Sequence, residues 1–385
     1  MARRRGLTRL ALAALALAGA ARAEPQPPAD GALRVASFNA ALSRRAPGAL
    51  VQELRLGGSP QIDAVAEILQ RVRPDILLVT EIDHDVKGEA LRLFAETLET
   101  GRGGAAGLAY PHRFTAPSNT GVLTGHDLDG DGRVARPRDA HGFGFYEGQF
   151  GMAVLSRFPL GPVRTFQILR WADMPDNLMP PGHYPPAAAA DLRLSSKSHW
   201  DVAIETPQGR LHLLASHPTP PVFDGPEDAN GRRNADEIRF WARYLDGADW
   251  IVDDEGRRGG AAAGALALLG DLNADPFDGD ARRAAIRGLL GHRRLQDPAP
   301  RSAGGAAAAD PGHEGDPARD TAAFGRDPGP GSIRVDYVLP SRDVAVTGAG
   351  VFWPPPGDPL RRLVGDGDPV VSSDHRLVWV DLRLP

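Results

Sequence analysis

Eight side chains in this sequence combine a type that can activate water or hold an anion with a telling place in the chain: Asn39, Glu81, His217, Asp271, Asn273, Asp336, Asp374 and His375. Glu81 is a hard oxygen donor of the kind that Mg²⁺ accepts, an ion that takes one or two carboxylates and keeps several waters. Asp271 and Asn273 are two positions apart and face the same side of an extended chain. A carboxylate that holds a water and an amide that donates to a phosphate oxygen would then share one surface. Asp374 and His375 are adjacent, so one can turn toward a metal and the other toward substrate. A histidine that moves protons needs a partner on its second ring nitrogen. Asp336, an acid set inside the apolar run Ile333 to Leu339, is a fitting partner because it should not be buried unpaired.

Taken singly, each residue has a plainer reading. Glu81 reads as a solvated acid at a strand end. Gly270-Asp271-Leu272-Asn273 reads as a turn whose polar side chains cap the backbone. Asp336 and His375 read as a structural hydrogen bond. His217, which opens the stiff segment His-Pro-Thr-Pro-Pro, reads as a structural histidine that heads a shaped loop.

The elements that must position these residues repeat one pattern. A short apolar run ends on, or begins at, a chemically capable side chain. Leu33 to Phe38 leads to Asn39, Ile76 to Thr80 leads to Glu81, and Leu211 to Ser216 leads to His217. Leu266 to Gly270 leads to Asp271, Ile333 to Val335 runs into Asp336, and Asp374-His375 precedes a strand over Leu377 to Leu382. Such runs predict buried strands. Helical spacing appears at Ile62, Val65, Ala66, Leu69 and Val72, ended by Pro74. It recurs over 232–245 and from Ala281 to Leu290. No regular βαβ repeat links these elements, so α/β layers with mixed sheets are expected.

Together and in this order the motifs resemble the endonuclease/exonuclease/phosphatase superfamily, the deoxyribonuclease I-like fold. The resemblance covers residues 32–384 and includes Val-Ala-Ser-Phe-Asn39, Gly151-Met-Ala-Val-Leu-Ser-Arg, Gly-Asp271-Leu-Asn273 and Ser-Asp374-His375. It implies a four-layer sandwich, two mixed β-sheets face to face with helices outside, and hydrolysis of a phosphate ester with Mg²⁺ or Mn²⁺. It implies Glu81 as metal ligand with Asn39 and Asp374 beside it. It implies Asp271 to orient or deprotonate the attacking water, and His217 and Asn273 to hold phosphoryl oxygens. His375, oriented by Asp336, is implied as general base or transition-state stabiliser. Acids and amides suit a site for an anion because the metal inverts the local charge.

Further residues extend the expected site. Lys197, one of only two lysines, lies in the strand pair before His217, where it either meets phosphate or sits in solvent. Arg232 and Arg233 open a predicted helix and are candidates for phosphate contact. Asp127, Asp129 and Asp131, followed by Gly132, resemble the first half of a Ca²⁺ loop. The closing acid is missing: Arg138 occupies the twelfth position and Asp139 comes one later. The loop therefore reads either as a Ca²⁺ site with altered ligands or as a solvated turn.

Composition bounds the rest. With no cysteine in 385 residues, disulfide scaffolds and thiolate metal sites are excluded. Arg3, Arg4, Arg5 and Arg9, the apolar run Leu10 to Ala20 and Ala21-Arg22-Ala23 predict a secretory signal peptide over 1–23, cleaved after Ala23. Arg4-Arg5 faintly matches a twin-arginine signal. A secreted or periplasmic monomer of one domain, 24–385, is expected, with insertions near 116–148, 172–192 and 300–331. Residues 1–23 carry five arginines and no acid, so the remainder has 39 basic against 49 acidic side chains. That balance disfavours loose binding to nucleic acid. The leading expectation is a phosphoesterase acting on a small mono- or diester. An extracellular nuclease and a non-catalytic binding protein of the same fold are the alternatives.

Overall fold

The computed structural model describes residues 25–325, 329–366 and 370–385. The expected signal peptide lies outside them. No helix among the described residues is long and apolar enough to cross a membrane. Thirteen strands run along the described chain: β1 (Leu33–Leu42), β2 (Ile76–Ile82), β3 (His112–Phe114), β4 (Gly151–Ser156), β5 (Leu160–Thr165), β6 (His199–Thr206), β7 (Gly209–Ser216), β8 (Leu266–Asp271), β9 (Ala322–Ala323), β10 (Ser332–Ile333), β11 (Asp336–Pro340), β12 (Ala345–Val351) and β13 (Val378–Arg383).

One six-stranded sheet has the order β12-β13-β1-β2-β4-β3, and a five-stranded sheet has the order β11-β8-β7-β6-β5. Each is mixed: β1 runs parallel to β2 and β7 parallel to β8, while their other pairings are antiparallel. The sheets face one another through β1, β2, β8, β11 and β13. Period-two patterning sorts the second sheet between two cores. Leu211, Leu213, Ala215, Ala267 and Leu269 join the first sheet's Val35, Phe38, Leu77 and Val79 in the central core. Leu214, Leu266, Leu268, Tyr337 and Leu339 point the other way. Each buried leucine here contributes about 1.5–3 kcal/mol.

Helices close the outer faces. The helices α1 (Ala49–Leu56), α2 (Pro60–Val72) and α3 (Glu89–Glu99) add Leu50, Val65, Leu69, Phe94 and Leu98 to the first core. A short α4 (Pro186–Asp191) lies in the 172–192 segment. On the second sheet, α5 (Ala229–Leu245) and α6 (Arg283–Leu290) supply Ile238, Trp241, Tyr244, Ile286 and Leu289. The expected sandwich of two mixed sheets with flanking helices is the observed architecture.

Three local expectations need correction. The run Ile333 to Leu339 is not one strand: β10 pairs with β9 in a separate ribbon, and β11 starts at Asp336 in the five-stranded sheet. Arg334 and Val335 make the turn between them. The helix expected from 232 begins at Ala229, one turn earlier, where the Asp224 carboxylate accepts from the Asn230 N–H at 2.5 Å. The helix expected from Ala281 begins instead at Arg283.

Candidate active site

The functional side chains converge because the two sheets present their ends to the same place. Antiparallel pairing sets the first residue of β11 opposite the last of β8, so Asp336 stands across from Asp271. In the other sheet, the parallel pairing of β1 and β2 breaks register between Asn39 and Leu42, and β2 breaks against β4 between Thr80 and Ile82. Glu81 is the bulged residue, with φ 57°, and Ala41 beside Asn39 has φ 49°. Asn273 has φ 50°. Left-handed backbone at non-glycine residues costs about 1–3 kcal/mol each and clusters where a side chain must be re-aimed. Gly270 is required for a different reason. Its φ is 150°, and a Cβ there would collide with the Ser216 carbonyl oxygen of β7.

Asp271 is the hub. Its Oδ2 accepts from the Asn39 amide Nδ2 at 3.0 Å and lies 3.4 Å from His217 Nε2 and 3.6 Å from His375 Nε2. Its Oδ1 accepts from the Asn273 backbone N–H at 2.9 Å. The same Asn39 amide donates to Glu81 Oε1 at 3.1 Å. His375 Nδ1 meets Asp336 Oδ2 at 2.9 Å, so the ring is held by its far nitrogen and its near nitrogen faces Asp271. Ser373 Oγ donates to the Asn39 carbonyl at 2.7 Å, which joins the Ser373-Asp374-His375 turn to β1. Arg376 clamps that turn by donating to the Ser373 and His375 carbonyls at 2.6 and 3.0 Å, its guanidinium over the Trp353 ring.

The electrostatics follow from burial. Asp271, Asp336, His217 and His375 are each at most 5% exposed. Burial opposes a charge on His375, but the Asp336 and Asp271 carboxylates outweigh it and hold its pKa well above the ordinary value. Burial raises the Asp271 pKa, with Asp336 adding to the rise and His375 working against it. Burial also raises Glu81, reinforced by Asp374 and Asp271 and opposed by His375 and the Asn39 amide. His217 is pushed well below its ordinary value by burial, then by the charges of Lys197 and His375, so it is a neutral imidazole.

The polar atoms left over point to a ligand. Among the described residues, buried His217 Nδ1 and Asp336 Oδ1 have no hydrogen-bond partner. Asp271, Asp336 and His375 bring ligand atoms within 4.8 Å of one another. Glu81 and Asp374 lie outside that trio but near enough to act on it electrostatically, and their carboxylate oxygens are the donors that Mg²⁺ or Mn²⁺ prefers over softer ions.

The sequence model of the Endonuclease/Exonuclease/phosphatase family matches residues 36–375. The chain belongs to that family. Its structure is similar to an endonuclease/exonuclease/phosphatase from Beutenbergia cavernae, with TM-score 0.52 and 18% identity over 92% of this chain and 72% of that one. Sphingomyelinase C from Streptomyces griseocarneus aligns with TM-score 0.47 and 16% identity, over 91% of this chain and 99% of that one. The human Nocturnin catalytic domain does so with TM-score 0.47 and 14% identity, over 93% and 97%. These likenesses concern the fold. None of the curated proteins matches the chain.

Within this family member, the remaining expected residues divide. Lys197 is 6% exposed, and among the described residues its ammonium has no hydrogen-bond or ion-pair partner. Burial lowers its pKa against the pull of Glu237, Glu81 and Asp271. It is a buried lysine near the carboxylates, not a surface one. Arg232 and Arg233 are committed to loops instead. Arg232 donates to the Glu227 and Leu178 carbonyls, and Arg233 to those of Leu194 and Arg193 at 2.9 and 2.7 Å. Asn273 Nδ2 also makes a loop contact, at 3.1 Å from the Pro218 carbonyl.

In the 116–148 segment, Asp127, Asp129 and Asp139 bring carboxylate oxygens within 4.8 Å of one another. Asp131, the third acid of the expected Ca²⁺ loop, instead accepts from the Arg133 N–H at 2.8 Å. Asp139, one position past the expected closing place, takes the part of the third acid. Thr321 was not anticipated. Its hydroxyl accepts from the Val335 and Asp336 N–H groups at 3.0 and 2.9 Å, while Ala322 bridges to His375. Thr321 and Ala322, within the expected 300–331 insertion, thus flank the site and brace the pair formed by Asp336 and His375.

Proposed function

We propose that this protein is an exported, divalent-metal-dependent phosphoesterase that hydrolyses a phosphate mono- or diester with water as nucleophile. The observation that carries the reading is the buried chain Asp336–His375–Asp271, with Lys197 beside it. A histidine fixed through Nδ1 keeps Nε2 for one directed task, and the facing carboxylate is placed to take a proton from water. Glu81 and Asp374, with Asn39 beside them, would hold the metal, whose contribution is Lewis acidity and charge neutralisation on the phosphoryl group. Lys197 and neutral His217 would hold non-bridging phosphoryl oxygens, and Asn273 would fix the loop that carries Asp271. Export rests on the sequence pattern of residues 1–23.

The test is hydrolysis of p-nitrophenyl phosphate, bis-p-nitrophenyl phosphate and plasmid DNA, each with Mg²⁺ or with chelator. Turnover of one of the model esters that is lost on chelation and in His375→Ala is expected. Turnover that survives either change would remove the mechanism. Plasmid nicking as fast as model-ester hydrolysis would make the protein a nuclease.

A further inference from the structure

One face of α5 lies behind the anion-facing half of the site. Asn234, Glu237 and Trp241 are spaced i, i+3, i+7, so they line one helical stripe. All three are at most 1% exposed. Glu237 Oε1 accepts from the Ser196 N–H at 2.7 Å, one residue before Lys197. Its Oε2 accepts from the Thr219 N–H at 2.7 Å, two residues after His217. Asn234 Nδ2 donates to the Thr219 carbonyl at 2.8 Å and to the Leu272 carbonyl at 3.0 Å, between Asp271 and Asn273. Trp241 Nε1 donates to Ser216 Oγ at 2.8 Å, immediately before His217. Three loops that are remote in sequence are therefore tied to one rigid stripe, next to the residues proposed to meet phosphate.

On the basis of the phosphoesterase reading, we propose that Glu237 and Asn234 are positioning residues. They act through Lys197, His217 and the Asp271–Asn273 loop to hold the phosphoryl-binding half of the site in register, independently of the metal-binding half. Glu237 does a second thing that a neutral bracket would not. It is the foremost of the carboxylates that oppose the fall in the Lys197 pKa caused by burial. Neither residue contacts Glu81, Asn39 or Asp374 through any hydrogen bond among the described residues. A helix is a better mount for this purpose than a loop, because its side chains are locked by packing.

The test compares wild type, Glu237→Gln, Lys197→Met and the double variant, each checked for cooperative thermal unfolding. Inorganic phosphate affinity of the Mn²⁺-loaded protein, Mn²⁺ affinity and the kinetics of the best model ester are measured. Glu237→Gln should weaken phosphate binding and kcat/KM by about 10- to 100-fold, the scale of a small misplacement in a site. Mn²⁺ affinity should stay within about twofold, since neither Glu237 nor Asn234 bonds Glu81, Asn39 or Asp374 directly. In the Lys197→Met background, Glu237→Gln should cost markedly less than it does in wild type. Equal losses in both backgrounds, or Mn²⁺ and phosphate affinity falling in step, would overturn the proposal. Asn234→Ala, which removes a different bond to the same loops, should repeat the split between phosphate and Mn²⁺ if Glu237→Gln does not fold. If wild type hydrolyses no ester, the phosphoesterase reading fails on its own. The phosphate titration still decides the positioning claim, because equal affinity in wild type and Glu237→Gln refutes it.

Discussion

Among the described residues, two groups of acidic side chains, one of them with a histidine, are close enough to share a cation, and they are built in opposite ways. Asp127, Asp129 and Asp139, the last of them buried, come from one loop whose backbone already serves them: Asp127 accepts from Gly130 and Gly132, and Asp139 from Leu128 and Ala135. Asp271 and Asp336 come from different strands and meet His375 from a third segment. They are fully buried, and Asp336 Oδ1 is left without a partner. The first group is what a short run of Asp and Gly makes by itself. The second exists only because sheet register forces unlike residues together, and the fold bears the cost of unsatisfied polar atoms there. Unsatisfied buried polarity, more than acid count, separates the two.

The largest expected effect tests that separation. Asp271→Asn keeps shape and removes the basic carboxylate, and should lower kcat/KM on the best model ester by about 10²- to 10⁴-fold. Asp129→Asn, in the other cluster, should leave it within about twofold, the scatter for distant independent sites. Comparable losses in the two variants would erase the contrast. Next in size is the metal dependence. Glu81→Gln should raise the Mg²⁺ concentration for half-maximal activity by at least about tenfold. An unchanged Mg²⁺ curve would move the metal to the Asp271–Asp336–His375 trio alone.

The same contrast governs what was legible in the sequence. Asn39, Glu81, Asp271 and His375 stood out because apolar runs lead to them, and burial patterns survive in one dimension. The pairing of His375 with Asp336 was also readable, since an acid within an apolar run demands a partner. The bulge that turns Glu81 was not, because it arises between strands β2 and β4 and leaves no local mark. Glu237 and Asn234 were hidden for a related reason. On a helix they look like ordinary surface polar residues, and only the loops packed over them make them internal. For Arg232 and Arg233 a helix start suggested phosphate; the helix begins earlier, and both side chains hold loop carbonyls.

A smaller effect sharpens the loop side of the comparison. If the 127–139 loop takes Ca²⁺, affinity should fall in the range of extracellular sites, about 10⁻⁴–10⁻³ M. Calorimetric titration of wild type should then give binding heat that Asp139→Asn abolishes and Asp131→Asn retains. Loss in the opposite pattern would restore the acids at positions 127, 129 and 131 as the ligand set. No heat in wild type would leave a turn satisfied by its own backbone.

The smallest effect uses an acid that belongs to neither group. Asp320 is 5% exposed, and its pKa is pushed up to about 8 by burial and then by Asp275, Asp278, Asp310 and Asp316. Unlike Asp336, it is joined to no histidine by a hydrogen bond or ion pair among the described residues. Its folded pKa lies above its unfolded value, so folding binds a proton between the two. The stabilisation from the neutral form is complete below about pH 4 and is lost as pH rises through about 8. Asp320→Asn should therefore match wild type in thermal stability near pH 4 and exceed it at pH 9 by about 1–3 kcal/mol, the cost of one uncompensated buried group. A wild-type protein no less stable than the variant at pH 9 would mean that a cation or a nearby guanidinium already neutralises this acid. Asp320 would then join the carboxylates that the fold has provided with a counter-charge.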